Sequence, residues 1–161
     1  MNNRWLKGKY VPQNPKKYKG DINKITYRSS WERTFMVWAD STPEILAWSS
    51  ETVNIPYYDP VQRKERTYVM DFRIVTKQSD GTNKVFLVEI KPEKQTKKPR
   101  GGNKSEKTML TEQTAWITNQ AKWAAAEKVC KALGWGFVIF TERDLFGNID
   151  RGFKPSAKAS R

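Results

Sequence analysis

Two carboxylates and an amine stand out in this chain because of what surrounds them. Asp71 interrupts the β-branched and aromatic run RTYVMDFRIVT (66–76), while Glu89 and Lys91 close the apolar run KVFLVEIK (84–91). The residues around both carboxylates are apolar on both strand faces, the mark of central strands, and ionised groups among such neighbours need partners or a metal. Between them, Asp80-Gly81 has the chemistry of a hairpin turn. A hairpin turning about Asp80 places Asp71 directly across from Glu89. Cross-strand partners have Cβ atoms about 4.5–5.5 Å apart, and like charges there are destabilising. A divalent cation converts that repulsion into a binding site, since Mg²⁺ is held by one or two carboxylates, its own waters and substrate phosphate oxygens. Lys91, two residues beyond Glu89, shares its strand face.

Asp71 with Glu89-Ile90-Lys91 has the D…(D/E)-X-K spacing of metal-dependent nucleases. In such a site a Mg²⁺ (or Mn²⁺) ion polarises a phosphoryl oxygen and lowers the pKa of a water. The lysine positions that water and offsets charge developing at phosphorus. The Ile90 carbonyl can complete the ion's shell, and Glu32 is a further candidate ligand, directly or through water. Glu32 also has a local role, forming a capping box with Ser29. A D-x₁₇-E-x-K pattern is short, and 29% of the chain is charged. A structural reading therefore stands beside the catalytic one: Glu89 and Lys91 solvated, Asp71 paired with Arg73 or Arg66.

Composition narrows the chemistry. The 161 residues contain no histidine and one cysteine, Cys130. This excludes Ser-His-Asp and Cys-His catalysis, imidazole ligands, an internal disulfide and a cysteine zinc site. No apolar run approaches the roughly 20 residues that span a bilayer, so no membrane partner is expected.

The elements that must position these groups follow from periodicity. Residues 1–20, with Pro12, Pro15 and two glycines, read as an extended basic arm. Trp31, Phe35 and Trp38 recur at helical spacing over 30–39, before Ser41-Thr42-Pro43 ends the run. Strands are expected at Val53–Tyr57 (an edge strand, because of Pro56), 66–76, 84–91 and 136–141. A basic loop covers 92–107, and a long helix runs over 108–133 to a terminating Gly134. The order αβββαβ implies one α/β domain with a mixed sheet flanked by helices. On the long helix Asn119, Lys122 and Trp123 share a face, so Asn119 and Lys122 are candidates for facing phosphates.

The net charge of +13 is concentrated in three places. Residues 1–20 carry six basic and no acidic groups, 91–107 seven and two, and 151–161 four and none, leaving a slightly acidic body. Cationic extensions on a near-neutral body are the footprint of a polyanion binder. Lys94, Lys97, Lys98 and Arg100 in the loop, with the N-terminal arm, are expected to grip the DNA backbone without reading sequence, being rich in Lys rather than paired base readers. Trp5 in the arm is a candidate for stacking on a base.

A resemblance sharpens this picture. Lys17-Tyr18-Lys19-Gly20-Asp21, Lys24-Ile25-Thr26-Tyr27-Arg28-Ser29-Ser30-Trp31-Glu32, Pro43-Glu44-Ile45, Ala47-Trp48, Ser50-Glu51-Thr52, Ile55-Pro56-Tyr57, Met70-Asp71, Ile90-Lys91-Pro92, Asn119, Lys122-Trp123 and Thr141-Glu142 resemble the head completion nucleases of T-even-type tailed bacteriophages. The likeness covers about residues 10–146. That family is similar to the PD-(D/E)XK nucleases, including TnsA-type transposon endonucleases, which share a helix-borne Glu, a strand Asp and an E/Q-x-K. The resemblance implies a restriction-endonuclease-like fold, with Glu32, Asp71, Glu89 and Lys91 as the catalytic set. It further implies a virion protein, assembled in the host cytoplasm, that acts on packaged double-stranded DNA and meets portal or head-neck proteins before the tail joins. Where the superfamily has Pro before the Asp, this chain has Met70, a position that supplies no ligand. The rival from another class is a non-enzymatic DNA-binding virion or connector component whose carboxylates are structural.

Overall fold

The computed structural model describes residues 6–148. In chain order the elements are β1 (Gly8–Lys9), β2 (Thr26–Tyr27), α1 (Ser30–Ser41), β3 (Ile45–Ser50), β4 (Asn54–Asp59), β5 (Lys64–Val69), β6 (Phe72–Lys77), β7 (Asn83–Ile90), α2 (Glu106–Leu133) and β8 (Gly136–Phe140). A mixed sheet of order β3-β6-β7-β8 forms the centre, antiparallel except for the parallel β7–β8 pair. On one face, Phe72, Ile74, Phe86, Val88, Val138 and Phe140 pack against Phe35, Met36 and Trp38 of α1. On the other, Leu87 and Phe137 pack with Trp123, Ala126 and Cys130 of α2 and with the β4–β5 hairpin. This is the α/β class expected, a mixed sheet flanked by helices. Among the described residues no helix is long and apolar enough to cross a membrane.

The αβββαβ order holds in the core, but with a different first strand. That strand is Ile45–Ser50, which periodicity did not suggest; Val53–Tyr57 belongs instead to a separate two-stranded hairpin inserted after it. The expected single strand over 66–76 is two strands, broken at Met70-Asp71. Met70 is fully buried under α2 and its N–H bonds the Val53 carbonyl, closing the hairpin's base, before the chain enters the central sheet.

Two local expectations hold closely. The β6–β7 ladder runs from Lys77↔Asn83 to Phe72↔Val88, which is the register a turn about Asp80 dictates. Gly81 takes the positive φ of 87° that the turn needs, and the Asp80 carboxylate accepts the Thr82 N–H at 2.9 Å. Helix α2 begins at Glu106 rather than 108, capped by the Ser105 hydroxyl, and ends at Gly134 in the left-handed conformation.

The N-terminal segment is not a free arm. Tyr10 and Tyr18 are buried against Trp48, and β1 pairs with β2. The buried Asp40 carboxylate on α1 accepts the Tyr10 hydroxyl at 2.7 Å and the N–H groups of Gln13 and Asn14 at 2.7 and 3.0 Å. Lys17 donates its ammonium to the carbonyls of Asp40 and Thr42, so this cation is spent on structure and not on DNA. The basic loop also has order: a 3₁₀ turn at Glu93–Thr96 starts its return towards α2. Trp5 and the C-terminal tail after 148 lie outside the described residues.

Candidate active site

The chemistry-bearing side chains meet where the inserted hairpin hands the chain back to the sheet. The β6–β7 ladder stops one pair short of Asp71 and Glu89, because Asp71 has left strand geometry. Its carbonyl accepts the Glu51 N–H at 3.0 Å, and its carboxylate Oδ2 accepts the Ile90 N–H at 2.8 Å. Asp71 is thus not mid-strand, as the sequence suggested, but a corner residue whose side chain stands in for the missing ladder bond. Neither Arg73 nor Arg66 pairs with it; Arg66 bridges to Asp59 at 3.6 Å and Arg73 lies over Trp135.

Glu89 is pinned from two sides. It is 5% exposed; its Oε1 accepts the Tyr68 hydroxyl at 2.7 Å and its Oε2 lies 3.3 Å from Lys91 Nζ. Burial and then the Glu89 charge, with a smaller push from Glu32, hold the Asp71 carboxyl well above the usual range; the Ile90 N–H and Lys91 act against this. The field therefore ties Asp71, Glu89, Glu32 and Lys91 into one electrostatic unit.

Glu32 takes up its capping role, while towards the acidic pair it acts through its charge. Its N–H bonds the Ser29 hydroxyl at 3.1 Å, and its Oε1 accepts the Arg28 N–H at 3.3 Å, one residue before the position an ideal capping box uses. Burial raises its pKa; the Arg28 N–H opposes this and the Glu51 charge adds to it. Among the described residues no three acidic, histidine or cysteine side chains converge as a cage. Asp71 and Glu89 form the close pair, and Glu32 couples to them through its charge. A buried, mutually repelling pair of hard oxygen donors beside one amine fits Mg²⁺, which keeps most of its waters and needs only one or two carboxylates.

Lys122 on α2 reaches the same place. Its Nζ lies 5.5 Å from the Tyr68 ring centre and 6.0 Å from that of Tyr57. Burial lowers its pKa, the Glu89 charge supports its cation, and Lys91 and Arg66 disfavour it. One turn earlier, buried Asn119 lines a cleft of about 490 Å³ between α2 and the basic loop. Lys94, Lys97, Lys98 and Arg100 line the same cleft, with Lys97 held 3.5 Å from Glu93. The candidates thus divide into Asp71, Glu89, Lys91 and Lys122 around the buried pair, with Glu32 in its field, and the loop cations with Asn119 along the adjoining cleft.

Tyr68, Glu51 and Arg28 escaped the sequence reading. In an unbroken strand, residues 68 and 71 point to opposite faces, so only the break at Met70-Asp71 brings the Tyr68 hydroxyl to this site. Glu51 adopts a left-handed φ of 56°, uncommon for a residue with a side chain. It is held there by a two-pronged grip from Arg28, at 2.8 and 3.2 Å, and by the Asp71 carbonyl. The Ser50-Glu51-Thr52 run was visible as part of the resemblance, but nothing local indicated that it braces the corner.

A mixed sheet with an acidic pair at a strand corner and a lysine two residues on defines a class, and the chain belongs to it: residues 42–142 match the family of TnsA-like endonuclease N-terminal domains. That span contains Asp71, Glu89, Lys91 and Lys122 but not Glu32. Within this class the chain is similar to a particular protein, the head completion nuclease of Enterobacteria phage T4. The two are 42% identical over 142 residues, covering 86% of this chain and 92% of the relative. No solved structure matches.

Proposed function

We propose that this protein is a metal-dependent DNA nuclease that hydrolyses phosphodiester bonds during phage head completion. The observation that carries the reading is the buried Asp71–Glu89 pair with Lys91 at 3.3 Å, built at the strand corner of a TnsA-like fold. Asp71 and Glu89 are the residues that hold Mg²⁺ or Mn²⁺, with Glu32 auxiliary and the Ile90 carbonyl beside them. When bound, the ion supplies Lewis acidity towards a phosphoryl oxygen and acidifies water.

The chain's own groups do the remainder. Tyr68 and Lys91 fix the Glu89 carboxylate by its two oxygens, so that it does not rotate as charge changes nearby. Lys91 offers an ammonium to the charge that develops on phosphorus, in a site where low solvent content strengthens it. Lys122, its ammonium near the Tyr57 and Tyr68 rings, presents a second cation to the scissile strand. Lys94, Lys98, Arg100 and Asn119 steer the duplex backbone without reading its sequence. Residues 1–161 act as a single nuclease domain in the virion, on packaged double-stranded DNA, alongside portal or head-neck proteins.

The test is plasmid cleavage. Purified protein with Mg²⁺ or Mn²⁺ is expected to nick or linearise supercoiled DNA, chelation to stop it, and the product pattern to separate endonuclease from exonuclease action. A protein that shifts plasmid on a gel yet never cuts it with either ion is instead the non-enzymatic connector component.

A further inference from the structure

The cleft beside the candidate active site offers more than a grip for duplex backbone. Its walls carry Pro99, Ala115 and Trp116 as well as the loop cations. Backbone contacts to a duplex are made by cations, hydroxyls, amides and main-chain N–H groups, and none of these calls for an apolar wall. A concave slot with an indole in its wall suits something flat, apolar on its faces and about the size of a small ligand; sites for such ligands span about 300–1,000 Å³, and this one holds about 490 Å³.

The charge at the rim points to an anionic flank on that flat group. Lys104 is paired with Glu112 at 2.8 Å and Lys97 with Glu93 at 3.5 Å. Lys94, Lys98 and Arg100 have no acidic partner among the described residues. The slot also lies along the helix that carries Lys122. Asn119 lines it, and Lys122, three residues along α2, feels the charges of Glu89 and Lys91. From Trp116 to Lys122 is about 9 Å along the helix axis, about three base steps of a DNA strand.

We propose that this cleft receives an unpaired nucleotide of the DNA substrate. Its base stacks on Trp116, and the neighbouring phosphates rest on Lys94, Lys98 and Arg100. The protein therefore engages frayed, forked or single-stranded DNA in preference to intact duplex. This deepens the nuclease reading and rests on it for the role of the site, but its test requires no cleavage.

Full-length protein in a chelator is titrated, by fluorescence anisotropy, with a blunt duplex, the same duplex carrying a short unpaired arm, and the arm alone. The arm contains 2-aminopurine, whose emission falls on stacking. Wild type is expected to bind the forked probe about 5- to 150-fold tighter than the blunt one, the range that stacking of one base supplies, with quenching. Trp116→Ala is expected to abolish the preference and the quenching while leaving blunt-duplex affinity unchanged. Ala115→Leu fills the slot from an exposed position and removes no packing, so it is expected to behave like Trp116→Ala even if the latter folds poorly. If the arm alone binds as well as the fork, the slot serves free single strands; if only the fork does, it serves duplex ends. Equal wild-type affinity for blunt and forked DNA overturns the proposal, as does equal weakening of both probes, or of neither, by the two variants. A protein that prefers forks but never cuts with Mg²⁺ refutes only the nuclease reading, and one that cuts plasmid without fork preference refutes only the slot.

Discussion

Replacing Asp71 by Asn separates a metal-holding carboxylate from a structural one. The amide keeps an oxygen to accept the Ile90 N–H, 2.8 Å away in the native protein, and removes only the charge. Asp71 is raised by burial and by Glu89, so without metal its ionisation opposes folding. Each unit by which a folded carboxyl lies above its unfolded value removes about 1.4 kcal/mol at pH above both. The stability that Asp71 contributes to the metal-free protein is therefore fully present below the ordinary aspartate range and is lost as pH rises through the elevated pKa. Asp71→Asn should lose this dependence and, in EDTA at alkaline pH, gain on the order of 1–3 kcal/mol, the scale of other uncompensated buried polar groups. Each kcal/mol is about 2–4 °C in a chain of this size. Mg²⁺ should reverse the ranking: at a hundredfold excess over its dissociation constant it adds about 2.7 kcal/mol to wild type, and far less to the variant. Thermal melts across pH, with EDTA and with Mg²⁺, read all of this. If Asp71→Asn melts below wild type in EDTA, and Mg²⁺ stabilises both alike, Asp71 is a structural acceptor and the catalytic account fails.

Further outcomes follow from the same geometry. Lys91→Ala should lower plasmid cleavage about 100- to 1,000-fold, as when a preorganised charge donor is removed, with duplex binding in chelator little changed; unchanged cleavage would exclude Lys91 from the chemistry. Tyr68→Phe frees one Glu89 oxygen of a 2.7 Å bond; hydrogen bonds to charged groups are worth about 1.5–3 kcal/mol. Its cleavage should drop roughly tenfold or more at low Mg²⁺ and recover at high Mg²⁺, whereas a uniform loss at all Mg²⁺ concentrations would deny it a positioning role. Replacing Lys94, Lys98 or Arg100 by Gln should reduce the slope of log affinity against log salt by about 0.9 each on duplex DNA, and slopes equal to wild type would remove the loop from the interface.

What could be read from residues alone tracks the range of the forces involved. The β6–β7 register was legible because Asp80-Gly81 sets it locally and alternation carries it outward. Both ends of α2 were within a few residues, since Ser105 and Gly134 are local caps. Ile45–Ser50 escaped because its six residues include two serines and follow a proline, so its strand state depends on pairing with β6. The corner at Asp71 escaped because Phe72 onward and Met70 backward are both good strand sequence, and only the hairpin's docking under α2 decides where the chain turns. Tyr68 became visible with that turn. For the N-terminal segment, prolines and lysines read as an arm, yet a single buried carboxylate some 25 residues away in the chain organises it.

That carboxylate, Asp40, has a practical consequence for how electrostatics in this protein is to be dissected. It sits on the same helix whose first turn carries Glu32, and the leading segment is knotted to it through a phenol, two amides and the Lys17 ammonium's neighbouring carbonyl contacts. Trimming the leading residues to strip away positive charge would also unclamp the helix that presents Glu32. Any drop in DNA affinity or turnover in such a truncation would report a loosened scaffold, so charge there is better silenced by neutral substitutions at solvent-facing Lys7, Lys9, Lys16 and Lys19, with the backbone left whole.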